Sequence, residues 1–183
     1  PSQVTVEIQT KIADAGDPIM GQGGQSYTLS VNQDTATAHT FDAPIFTSTQ
    51  TGNQIQTLTS VDKLTGTAAT DDALNAILNG TEVATKPTMS GVEKVNLTAI
   101  AASVFDAANS TGITEIGSVD SSFNLTVRNL AAGATVVVKN TAVGAHTQVQ
   151  FANAVASGTS DVATIKVDGV GRGATAGNTQ ILN

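Results

Sequence analysis

The feature that most constrains this chain is an echo through its middle. Ser60-Val61-Asp62-Lys63-Leu64-Thr65 resembles Gly91-Val92-Glu93-Lys94-Val95-Asn96, and more loosely Gly112-Ile113-Thr114-Glu115-Ile116-Gly117. Each block reads small, apolar, polar, polar, apolar, small or polar. The offsets are 31 and 21 residues, so the repeat is irregular. Stacked as rungs, such blocks bury one apolar ladder and leave Asp, Glu and Lys outside, as in a β-solenoid. Short strands at this spacing also suit a β-sandwich. Periodicity alone leaves both open.

Strand signals flank the echo. Tyr27 to Val31, Ile55 to Leu58, Val92 to Leu97, Phe123 to Val127, Thr135 to Val138, Gln148 to Phe151 and Ala163 to Val167 each alternate or cluster β-formers. Turn residues (Gly, Asn, Asp, Ser or Thr) bound every one. From Asn124 onward their centres fall about every 11 to 16 residues with no helical stretch between them. Composition agrees: 28 threonines and only 13% charged residues favour pleated surfaces over a helical bundle. The expected fold is all-β and elongated, a β-solenoid or an irregular β-sandwich of short strands.

The first residues differ. Val4, Ile8 and Ile12 fit helical spacing, and Ala15-Gly16-Asp17-Pro18 makes a stop, so a short helix is expected over residues 3–15. Residues 1–20 then form an N-terminal segment, the end of a preceding domain. Residues 21–25 form a glycine-rich linker, and 26–183 the β-rich domain. The start, Pro-Ser-Gln-Val, is neither a Met start nor a signal peptide, and reads as a piece of a longer chain.

Charge and chemistry narrow the function classes. Fifteen acids against eight bases give a net charge of −7, which argues against nucleic acid or an anionic membrane as partner. No apolar run is long enough for a transmembrane helix, and no cysteine exists for a disulfide or a thiolate metal site. His39 and His146 sit far apart among Thr, Ala and Gly, and read as surface or structural residues. Gly169-Val170-Gly171-Arg172-Gly173 lacks the Lys-Ser/Thr pair of a phosphate loop and reads as a turn. Asn79, Asn96, Asn109 and Asn124 stand in N-x-S/T triplets, which a Thr-rich chain makes by chance. Aromatics are 3%, too few for stacking platforms. The expectation is a protein that is not an enzyme.

Three blocks in order carry a family resemblance. Leu58 to Ala76, with Asp62, Leu64, Gly66, Asp72, Leu74 and Asn75, resembles the L-x-x-G-D-x-L-x-G-G-x-G-x-D-x-L-N pattern. That pattern recurs in surface-layer proteins of Gram-negative bacteria and in related repeats-in-toxin exoproteins. Met89 to Ala99 is similar to the strand that follows it there, and Gly24 to Ser30 to the opening block. Thr67 and Ala69 stand where the family has glycines, Thr65 where an Asp is common, and one extra residue precedes Asp72. The resemblance implies a structural component of the bacterial cell surface, extracellular, self-associating into a two-dimensional array. It further implies export by a type I system and a surface anchor that the sequence does not identify. It also implies Ca²⁺, with Asp62, Asp71 and Asp72 as candidate ligands beside backbone carbonyls and Thr hydroxyls. The alternative for those residues is a solvated strand position (Asp62) and a turn or cap (Asp71, Asp72). Alternative functions are an adhesin or stalk module of a large exoprotein, or the non-catalytic part of a secreted hydrolase.

Overall fold

Alternation of β-branched and polar residues over three to six positions, broken by Gly, Asn or Asp, leaves short strands as the favoured local structure. A computed structural model of the chain describes residues 26–152 and 163–173. The expected helix over 3–15 and the 21–25 linker lie outside the described residues.

Sixteen strands follow in chain order. They are β1 (Ser26–Thr28), β2 (Thr35–Thr37), β3 (Thr40–Ala43), β4 (Ile45–Thr47), β5 (Gln54–Gln56), β6 (Lys63–Thr65), β7 (Ala73–Leu78) and β8 (Thr88–Ser90). Then come β9 (Lys94–Ala99), β10 (Ser103–Asp106), β11 (Ser110–Thr111), β12 (Glu115–Val119), β13 (Leu125–Leu130), β14 (Thr135–Lys139), β15 (Thr147–Phe151) and β16 (Thr164–Asp168). One 3₁₀ turn, Ala107–Asn109, is the sole helical element among the described residues.

The fold is a parallel β-solenoid. A seven-stranded sheet runs β1-β3-β7-β9-β12-β14-β16, a second runs β11-β8-β6-β2 and a third β10-β13-β15. Every pair within these three sheets is parallel. A sandwich of antiparallel hairpins is thereby excluded. The one antiparallel pair among the described residues, β4–β5, is a hairpin between β3 and the next rung. It accounts for an interval of 33 residues from Asp42 to Asn75, where Asn75 to Asn96 takes 21.

The interior is built by stacking equivalent positions. Phe41, Leu74, Val95, Ile116 and Val136 lie in register on the large sheet, and all are buried. Leu64 and Met89 close the core from the second sheet, Phe105 and Val127 from the third. Truncating one such leucine to alanine removes its transfer energy and opens a cavity, at about 2–5 kcal/mol.

The echo maps onto this architecture in part. Lys94 pairs with Glu115 and Val95 with Ile116, so the second and third blocks are successive rungs of one sheet. The first block is not. Leu64 pairs with Met89 on the second sheet, while the partner of Val95 is Leu74. The block at 60–65 shares its pattern with the others because any short strand with one buried side chain carries it.

Candidate functional site

Corners of the solenoid bring distant residues together. Strands β6, β8 and β11 are each followed by a glycine (Gly66, Gly91, Gly112), and these stack where the second sheet turns into the first. A Cβ on Gly66 would lie 1.5 Å from the carbonyl oxygen of Gly91, so only glycine fits. From Gly91 and Gly112 the chain enters the large sheet within three residues; after Gly66 it makes a longer excursion before β7.

Asp72 fastens that excursion. Its carboxylate, fully buried, accepts from the Thr67 N–H at 2.5 Å, the Thr67 hydroxyl at 2.9 Å and His39 Nδ1 at 2.6 Å. Burial raises its pKa, but the bonds from His39 and Thr67 outweigh that and hold it below the ordinary aspartate value. Its own N–H donates to Glu93 Oε2 at 3.0 Å on the next rung. Asp71, exposed, lies 3.9 Å from the opposite ring nitrogen of His39. Sequence spacing missed the His39–Asp72 pair, because the two are 33 residues apart and meet only through stacking of rungs.

Asp62 performs the same task one turn earlier. Fully buried, it accepts from the N–H of Asp34 at 2.9 Å and of Thr59 at 2.7 Å. Burial raises its pKa against the opposing pull of those bonds. Asp34, its counterpart on the preceding rung, accepts from the Tyr27 hydroxyl at 2.8 Å and the Ser30 N–H at 2.9 Å. Burial and this carboxylate push the Tyr27 phenol up to about 12.

Of the three residues proposed for Ca²⁺, Asp71 and Asp72 flank the same His39 ring, while Asp62 has different partners. Asp62 and Asp72 are occupied by N–H and O–H donors, and Asp71 faces solvent. Among the described residues no group of three or more His, Cys, Asp or Glu is placed to hold a metal ion. Ca²⁺ takes six to eight oxygens, and this donor set does not fit a shared site. The turn-or-cap alternative describes Asp72; Asp62 is a buried acceptor, not a solvated strand residue.

The outer faces carry short polar side chains. On the second sheet Thr37, Thr65, Ser90 and Thr111 lie in register and exposed. On the large sheet the Asn96 amide donates to Asn75 Oδ1 and the Asn75 amide to Asp42 Oδ1, both at 3.0 Å, making a ladder across three rungs. A shallow trough of about 700 Å³ lies over this face, bordered by Asp42, Asn75, Asn96, Glu115, Lys139 and Lys166. Exposed apolar side chains occur elsewhere: Phe46 and Ile55 opposite each other on the β4–β5 hairpin, and Val83, 93% exposed, in the loop after β7. No helix among the described residues is long and apolar enough to cross a membrane. Comparison with known proteins found no matching family model, no matching curated protein and no matching solved structure.

Proposed function

We propose that this chain is a structural module of a bacterial surface layer, located outside the cell and tiling by self-association. The observation that carries the reading is the parallel solenoid, whose second sheet presents an in-register outer row of Thr37, Thr65, Ser90 and Thr111 and whose large sheet presents the Asn96–Asn75–Asp42 ladder. Such faces order few rotatable side chains on contact, so extended packing between copies costs little conformational entropy. Open or closed arrays need only a few modest patches per copy. The buried carboxylates serve the scaffold, and no catalytic role is proposed for them. Export by a type I route and the unidentified surface anchor belong to the same proposal and rest on the sequence resemblance alone.

The test is electron microscopy of the concentrated chain. Regular two-dimensional arrays support the reading. A chain that stays monomeric and binds another surface would instead favour the adhesin or stalk module.

A further inference from the structure

We infer that the outer face of the large sheet is a self-complementary contact surface whose partner is a second copy of this chain. The inference deepens the self-assembly reading and rests on it.

Charge is the first argument. The chain carries −7, so copies repel one another at most approaches. On this face the outward strand residues balance: Lys94, Lys139 and Lys166 against Asp42, Glu115 and Asp168. With Asp120 at its border the face carries only about −1 of the chain's −7, so a like copy meets less repulsion there.

The order of those charges is the second argument. In register across six strands run Asp42, Asn75, Asn96, Gly117, Val137 and Lys166, from β3 to β16. A twofold axis in the contact plane, parallel to the strands and midway between β9 and β12, keeps each row and reverses its order. Asp42 of one copy then faces Lys166 of the other. In a neighbouring row Lys94 faces Glu115 by the same operation, since the two are register partners on β9 and β12. The pairing occurs twice by symmetry, giving four ion pairs from two kinds.

The free molecule has groups ready for this exchange. Lys166 reaches Glu115 within its own copy at 2.8 Å, and this pair is exposed. On association Lys166 passes to Asp42 while Glu115 receives Lys94, and Lys139 and Asp168, register partners on β14 and β16, stay beside each other. Asp42 accepts from Asn75 through Oδ1, and Oδ2 is left for the partner. Six strands about 4.8 Å apart and about five residues deep cover roughly 400 Å² per copy. That is below the ~800 Å² per partner of a standard interface, and fits one weak contact among several in an array.

Sedimentation equilibrium of the 183-residue chain tests this. Asp42→Lys and Lys166→Asp should each weaken association about tenfold or more, and the double swap should bring it back to within a few-fold of the native chain. Lys94→Glu with Glu115→Lys supplies a second pair with the same expected pattern, coupled to the first through the Lys166–Glu115 contact within one copy, and far-UV circular dichroism checks that each variant is folded. Association unmoved by both pairs of swaps overturns this face and leaves the self-assembly reading standing. A native chain that never associates overturns both.

Discussion

Replacing Asp72 by alanine is the sharpest perturbation of the fold. The native carboxylate is the acceptor for the Thr67 N–H and hydroxyl and for His39 Nδ1. His39 is partly exposed and can turn to water, and the Thr67 hydroxyl can rotate. The Thr67 N–H is fixed by the backbone and loses a charge-assisted bond of about 1.5–3 kcal/mol. With the small void left behind, the expected loss is about 3 kcal/mol. For a chain of this size that lowers the melting temperature by roughly 6–12 °C, read by far-UV circular dichroism. A shift under about 2 °C would refute the assignment of Asp72 as a fastener.

The pH dependence gives the same residue a second signature. A carboxyl whose folded pKa is lowered contributes stability above its unfolded value, near 4, and loses it as pH falls through the folded value. Asp106, also lowered in spite of burial by bonds from Asn129 and the Ala108 N–H, acts in the same direction. Asp62, raised by burial, acts oppositely and gains from protonation. Native protein should therefore lose stability below about pH 4, and Asp72→Asn should flatten that acid limb without abolishing it.

Three further outcomes are expected. Gly66→Ala must displace the Gly91 carbonyl and should cost about 3 kcal/mol or more in urea unfolding, whereas Gly133→Ala, with open space around its Cβ position, should cost far less despite its φ of +82°. The single tyrosine should ionise near pH 12 in an ultraviolet titration, and Asp34→Asn should bring it down toward the ordinary value. Millimolar Ca²⁺ against a chelator should leave the melting temperature unchanged within about 1 °C. A rise of several degrees, abolished by Asp71→Asn with Asp72→Asn, would restore the calcium site.

Strand existence was legible at β9, β13 and β14, where alternation runs over five or six residues, but not at β7, whose six residues do not stand among the sequence's strand signals. Strands of two to four residues, such as β2, β8 and β11, carry too few positions for a period to register. The class of fold was legible too, through Thr and Val content and the echo. The choice of solenoid over sandwich was not, since it depends on parallel pairing between strands that, except for β1–β3, lie 20 or more residues from each other. The same separation hid the site. His39 and Asp72, or Asp42 and Asn75, are neighbours only once the β4–β5 excursion is folded out of the rung.

Asp62 and Asp72 illustrate why a calcium motif and a turn fastener look alike in sequence. Both need a short acid beside small residues at a corner where the backbone tightens. An ionised carboxylate held there must be compensated, either by a cation or by hydrogen-bond donors. Glycine at the turn leaves room for carbonyls to converge on an ion. Thr67 instead offers an N–H and a hydroxyl, and both point at Asp72. His39 adds a third donor from the preceding rung. With these three donors in place the corner closes on protein groups alone.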